Sequence, residues 1–530
     1  MFSSVKDRSK SFWISLVLFF AICFGYFINV IFKTDFHYTY LLDDAYIHLA
    51  MAKNFALHQV WGVTSHQFSS SSSSPLYTLL ISILIKIFGN NDQFPLYFNA
   101  VFGFGIIFFL NRFFSDIFNE VKSVVLANLF TLFFAVSHLL LLSGMEHLLH
   151  VFLIVLNVYC LKNLDKNKSF VAGFYISILL MGLVRFESMF YFVILAFVFV
   201  LMKKWKEAFA ILFFGFLPIA VFCCFNYLQD GYLFPNSVVV KGTKLVFDST
   251  LLSQIFDIFF NKLLLNISFY KIGIFPLLMC FVFVYKDFRT FGFLKALRKN
   301  YLLVVFSLLM ICHSLFADLK GAFRYEAYIL VGFSMVLIPK LTIFFKDFKT
   351  YIKKEKLMSA LILMNLILMI YKLGFSHIML NNGGKNIYEQ QVQSAKFLHA
   401  YYNESKVVAN DIGAITYYTD IHLLDIVGLG SSEMIPYNIT KKKFDNRFED
   451  FLTEYCRKNN FELAIVYEDW LDGHIPKNWK KVAVLKIDNN VTTYGKEVSI
   501  YSINANHQEL LKNNVKKFNW NKNVKVEMVK

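Results

Sequence analysis

The feature that most constrains this chain is a succession of long apolar runs, starting at Ser11 to Phe32 and recurring as far as about Leu373. Further runs lie near 96–111, 123–143, 147–161, 169–184, 188–202, 207–226, 269–285, 301–316, 325–345 and 357–373. A helix satisfies all of its own backbone hydrogen bonds, so runs of this kind can cross a lipid bilayer. Composition agrees: 57% of the 530 residues are hydrophobic and only 17% charged. A soluble protein carries about a quarter charged residues, so too little polar surface exists to coat one. The aromatic fraction of 18%, with 8 Pro and 23 Gly, excludes collagen-like, low-complexity and disordered chains. The first run follows Lys6, Arg8 and Lys10, exceeds a signal-peptide core and lacks a small-residue cleavage site, so it reads as a retained first transmembrane helix.

The formal charge is +16. In a polytopic chain, basic residues gather in the loops that stay cytoplasmic, so the excess is a topology signal, and no nucleic-acid partner is implied. It also decides the status of an ambiguous run, Pro75 to Gly89, which is about four turns long and interrupted by Lys86. If that run does not cross and the N-terminus is cytoplasmic, about twice as many loop Lys and Arg residues fall inside as outside. Counting it as a span reverses every later loop. The expectation is therefore a polytopic all-α membrane protein of about eleven transmembrane helices, with 75–89 lying against the outer interface. Residues 1–375 form this module, including a first outer loop, 33–95, with interfacial helices. Residues 376–530 alternate short β-rich runs, Lys406 to Ala409 and Leu463 to Tyr467, with helical ones, Tyr388 to Tyr402 and Lys441 to Lys458, and predict a soluble α/β domain outside the membrane.

Six of the seven cysteines lie in apolar runs, where a thiol is a small hydrophobe; only Cys456 does not, and no disulfide framework or CxxC site follows. The unusual polar residues collect on the outer side. Asp43 and Asp44 open a helix-compatible segment in the first outer loop; they are either caps that favour the helix dipole, or a base or metal ligand at the membrane surface. A helix puts Asp44 and His48 on one face. Glu146, in Ser143-Gly144-Met145-Glu146-His147, and Arg185 with Glu187 lie in turns between spans, where solvated headgroup anchors compete with a site as explanations. Asn236 belongs to a Pro-Asn-Ser turn. Lys241 and Arg324 are outer cations suited to a lipid-linked phosphate or to ordinary lipid headgroups. Ser69 to Ser74 is a polar run that reads as a flexible linker. Asp411-Ile412-Gly413 and Asp425 follow strands, as turn residues commonly do, and there is no GxGxxG or Walker A sequence.

Taken in order, Asp43-Asp44-Ala45-Tyr46-Ile47, Ser73-Ser74-Pro75-Leu76-Tyr77, Ser143-Gly144-Met145-Glu146, Arg185-Phe186-Glu187, Pro235-Asn236-Ser237 with Lys241, and Asp411-Ile412-Gly413-Ala414 with Asp425 and Gly428-Leu429 resemble the GT-C superfamily of membrane glycosyltransferases, most of all its arabinofuranosyltransferase-like branch. The resemblance implies a polyprenyl-phosphate sugar donor, an envelope glycan or surface protein as acceptor, and inverting transfer on the outer face of the cytoplasmic membrane. It places the catalytic acid residues at Asp44 or Asp43 and at Glu146, and the substrate contacts at His48, Arg185, Glu187, Asn236, Lys241 and Arg324. Some members use Mg2+ or Mn2+ at paired carboxylates, which would be Asp44 and Glu146. Ala50, Met51 and His147 depart from the arabinosyl pattern and bear on the sugar. A carrier of lipid-linked sugars is the alternative; it should hold its ionisable residues mid-span, whereas these cluster at outer ends.

Overall fold

Every apolar run becomes a helix, and the helices carry the turns that later form the site. The computed structural model describes residues 5–242, 248–317, 319, 322–438 and 444–529, apart from the side chains of Val5 and Lys241. The helical part comprises α1 (Val5–Lys33), α2 (Asp44–His58), α3 (Pro75–Phe88), α4 (Phe94–Ser115), α5 (Val121–Phe134), α6 (Ser137–Leu142), α7 (His147–Lys162), α8 (Lys168–Val184), α9 (Ser188–Leu201) and α10 (Trp205–Asp230). It continues with α11 (Asn236–Lys241), α12 (Leu251–Phe259), α13 (Ile267–Ile272), α14 (Ile274–Phe291), α15 (Phe293–Phe316), α16 (Ala327–Leu337), α17 (Thr342–Lys346), α18 (Phe348–Lys354) and α19 (Lys356–Ile387).

Among the described residues, six helices are long and apolar enough to cross a membrane, and shorter apolar helices stand at Pro75–Phe88, Val121–Phe134, His147–Lys162, Lys168–Val184 and Ser188–Leu201. The protein is a multi-pass membrane protein. The run expected as a single span over 123–143 is broken: Val136 adopts φ +46° between α5 and α6. The break frees backbone carbonyls inside an apolar setting, and the Lys372 ammonium from α19 donates to the Phe134 carbonyl at 2.5 Å.

No linker separates the helical part from the tail. α19 runs on past residue 376 into a π-helical turn, Tyr388–Val392, and then α20 (Gln393–Tyr401). The tail adds β1 (Lys406–Ala409), α21 (Gly413–Tyr418), β2 (His422–Asp425), α22 (Ile435–Asn438), α23 (Asn446–Lys458), β3 (Leu463–Val466), β4 (Lys480–Lys486), β5 (Glu497–Ser502), α24 (Gln508–Lys517) and β6 (Lys525–Met528). They form one sheet of order β2-β1-β3-β5-β4-β6, in which β1 runs parallel to β2 and β3 and the remaining neighbours are antiparallel. Ala409 pairs with Asp425 and with Ile465, so the loops carrying Asp411 and residues 426–430 leave the same end of the sheet.

One sheet face packs on Phe448, Leu452 and Cys456 of α23. The other shares a core with α20, α24 and four residues of the first outer loop region, Ile47, Met51, Trp61 and Val63. The tail is thus seated on α2 by apolar burial, worth about 25 cal/mol per Å² removed from water. That seating sets where the sheet's loops meet the first outer loop.

Candidate active site

α2 begins where the chain leaves the first long helix, and its first two carboxylates point different ways. The buried Asp43 carboxylate accepts from the Gly413 N–H at 2.5 Å and the Ala414 N–H at 2.8 Å, the N–H groups of α21's first turn that have no partner within the helix. This requires glycine at 413, because a Cβ there would stand 2.1 Å from the Asp43 carbonyl oxygen. Asp411 hydrogen-bonds to Asp43 through its carboxyl group, and Gln391 donates to Asp411 at 2.8 Å. Two carboxyl groups in hydrogen-bond contact must hold a proton between them. Burial pushes Asp43 up to about 6, against the backbone donors, and pushes Asp411 well above the usual carboxylate range, helped by the charges of Asp43 and Asp44.

Asp44, by contrast, lines a cavity of about 1030 Å³ and pairs with the Arg324 guanidinium at 3.1 Å, with 36% of its side chain exposed. His48, one turn on, lines the same cavity. Its Nδ1 meets Ser72 at 3.0 Å and Thr78 at 3.2 Å, and its Nε2 lies 3.1 Å from Glu146.

Glu146 stands at the N-terminus of α7, after a turn that only glycine accommodates: Gly144 has φ +69°, and a Cβ there would press on the Tyr40 ring at 2.4 Å. The carboxylate has no exposure to solvent and does not line the cavity. One oxygen takes Arg185 at 2.7 Å and Ser73 at 3.1 Å, and the other faces His48. Burial pushes the carboxyl group up, but His48 and Arg185, which contact its two oxygens, outweigh it and hold it well below the usual range. Glu146 is therefore a fixed anion. Arg185 also grips Glu187 with two nitrogens, at 3.1 and 2.5 Å, and lies 5.0 Å from the centre of the Tyr325 ring. Arg324 lies 5.3 Å from the same ring. Arg185 and Tyr325 line the cavity, and Arg324 stands beside them, paired with the cavity-lining Asp44.

The serine run is not a linker. Ser69, Ser70, Ser71, Ser72 and Ser74 are all buried, because side chains this small let the segment thread between α2 and the tail while hydroxyls bond locally. Ser71 donates to the Leu429 carbonyl at 2.6 Å, and the buried Asn236 donates to that carbonyl at 3.2 Å and takes the Ser70 carbonyl at 2.9 Å. Asp425 shapes the loop that presents Leu429 by accepting from Val427 N–H at 2.9 Å and Gly430 N–H at 2.7 Å. Asn236 thus ties three loops together. The side chain of Lys241 lies outside the described residues.

Sequence reasoning missed part of the wall. Residues 227–268 lie between the expected spans 207–226 and 269–285 with no helix expected, yet α12, the π-helical turn Phe260–Leu264 and the start of α13 lie there, and Lys262 and Asn266 line the cavity. The helical spacing of Leu251, Leu252, Ile255, Phe256 and Phe259 carried that signal. Ser73 and Tyr325 were missed as well, since neither residue type marks a site without neighbours.

For a divalent ion, the donor set does not fit. Asp44 and Glu146 each hold a guanidinium, and among the described residues no group of three or more His, Cys, Asp and Glu is placed to bind a metal.

Residues 385–501 match a family model described as a domain of unknown function, DUF8728. No curated protein sequence matches the chain. Among solved structures, ArnT from Cupriavidus metallidurans is similar over 93% of this chain and 98% of its own, with 11% identity and a TM-score of 0.54 in the apo state and 0.53 when bound to undecaprenyl phosphate. The chain has a GT-C fold. The GT-C likeness spans helices and tail together, and at this identity it speaks for the fold, while the roles of individual residues rest on the geometry above. The Archaeoglobus fulgidus oligosaccharyltransferase (11% identity, 91% of this chain, 74% of that chain, TM-score 0.47) and the mycobacterial arabinofuranosyltransferase AftD (12%, 95%, 40%, 0.45) are looser likenesses and carry no weight for the site.

Proposed function

We propose that this protein is an inverting glycosyltransferase of the cytoplasmic membrane, which moves a sugar from a polyprenyl-phosphate donor to an envelope glycan or surface protein on the outer face. The observation that carries the reading is the division of labour among the carboxylates. Asp43 is spent on the tail and Glu146 on Arg185 and His48, while Asp44 faces a large cavity beside Arg324. The GT-C fold, shared with a protein that binds undecaprenyl phosphate, supports the donor class. The resemblance in sequence favours a pentose such as arabinofuranose.

In this mechanism the acceptor hydroxyl gives its proton to Asp44 as its oxygen attacks the anomeric carbon. The bond from that carbon to the phosphate oxygen breaks on the opposite face, and polyprenyl phosphate leaves with the electron pair. Arg324 pairs with Asp44 at 3.1 Å and supplies a cation for the charge that develops on the leaving phosphate; Lys262 adds another from the cavity wall. Arg185, neutralised by Glu146 and Glu187, shapes the wall instead. No step runs through a metal. Comparing lipid-linked sugars and surface glycans by mass spectrometry, with and without the gene, tests the reading. Its loss should make one polyprenyl-phosphate sugar accumulate and one glycosyl residue disappear. Unchanged pools would refute it.

A further inference from the structure

His147 directly follows Glu146 and lines the cavity, yet it is 2% exposed and neither ring nitrogen has a hydrogen-bond partner among the described residues. Its Nδ1 lies 3.8 Å from the nearer Glu146 oxygen, beyond hydrogen-bond length. The other histidines nearby are placed differently. His48 is engaged by Ser72, Thr78 and Glu146, and the buried His150 meets Ser188 at 3.0 Å and stacks on Tyr328. A buried imidazole with two idle nitrogens bears its desolvation penalty without return, and native proteins rarely leave such groups unpaired.

The surroundings select the complement. The Tyr325 ring, 5.4 Å from the His147 ring, also carries Arg324, and Lys262 lines the same cavity, so donors for a phosphate are already present next door. A phosphodiester only accepts hydrogen bonds, whereas a neutral imidazole offers one donor and one acceptor. A hydroxyl can both donate and accept. The Glu146 carboxylate favours the proton on the nearer nitrogen, Nδ1, which leaves Nε2 as an acceptor.

We propose that His147 is a sugar-recognition residue, whose Nε2 accepts a hydrogen bond from a hydroxyl of the donor's sugar while Arg324 and Lys262 hold the phosphate. This rests on the transferase reading above and makes His147 a determinant of which sugar is taken. It accounts for a polar, hydrogen-bonding ring at a position that a phosphate site alone would not need.

The test measures binding to the full chain in lipid nanodiscs. The probes are bare undecaprenyl phosphate and polyprenyl phosphates loaded with arabinofuranose, glucose, mannose or N-acetylglucosamine. The wild type should bind one loaded carrier more tightly than the bare one. His147→Phe, which fills the space without polar atoms, should lower affinity for that carrier about tenfold and leave the bare carrier unchanged; His147→Gln should recover part of the loss. If both carriers weaken equally, or neither does, the assignment of His147 is overturned while the transferase reading stands. A wild type that binds the bare carrier but prefers no loaded one overturns it too. A wild type that binds no carrier at all overturns the transferase reading, and the assignment with it.

Discussion

Asp43 and Asp44 are neighbours in the chain with opposite employments, and single substitutions should separate them. Asp44→Asn keeps the size of the side chain but removes the proton acceptor, so transfer should fall about 100-fold to 10,000-fold, while losing the pair with Arg324, in which the Asp44 side chain is 36% exposed, should lower thermal stability only slightly. An enzyme with near-normal turnover would return Asp44 to a capping role. Asp43→Asn puts an amide nitrogen against one of the two N–H groups, so about 1–3 kcal/mol should be lost from the seating of the tail, read as a lower melting temperature with only a secondary effect on rate. The proton shared by Asp43 and Asp411 sets a pH dependence. Both groups titrate higher in the folded protein than in the unfolded chain, so their contribution is complete in acid and is lost as the pH rises through about 6 and then through the higher value of Asp411. Melting temperatures between pH 5 and 8 should therefore decline in the wild type, and Asp411→Asn, which can donate without ionising, should flatten the slope. Glu146→Gln breaks a buried ion pair but leaves Glu187 on Arg185, which should cost about 3 kcal/mol and appear as instability more than as slow chemistry.

At the scale of elements, the seam between α2 and α21 is the critical contact. Gly413→Ala would drive a methyl group into the Asp43 backbone, so the tail should lift from the first outer loop, and limited proteolysis should cut near Asp411 far faster than in the wild type. The elements themselves were largely legible. Period-3.6 apolar runs are strong signals, and β1, β2 and β3 ended where Ala409, Asp425 and Val466 meet turn residues. Their partners were not legible, because strand pairing is fixed by side chains distant in sequence. The serine run misled for a related reason: its hydroxyls look solvated in isolation, and only the fold supplies the Leu429 carbonyl and Glu146 that bury them. Asp43, Asp44 and Glu146 could be found as acidic residues at span ends, but which one faces the cavity depended on α21 and Arg185, whose positions no local pattern encodes.

For the whole molecule, orientation in the membrane follows from loop charge. Reporter fusions after Lys166 and Lys353 should lie in the cytoplasm and a fusion after Gly89 outside; a cytoplasmic signal after Gly89 would reverse the assignment and move the cavity to the wrong side for an envelope acceptor. The tail extends this organisation. In its sheet, the order β2-β1-β3 changes direction at β1, and outside the carboxyl ends of such strands open α/β sheets receive their ligands. Here that crevice holds Asp43 of the same chain. Because the apolar seating of the tail on α2 already holds guest and host together, occupancy is governed by effective concentration and not by intrinsic affinity. Free carboxylates at ordinary levels should fail to compete, and a grip built from two N–H groups can remain closed although each contact is weak.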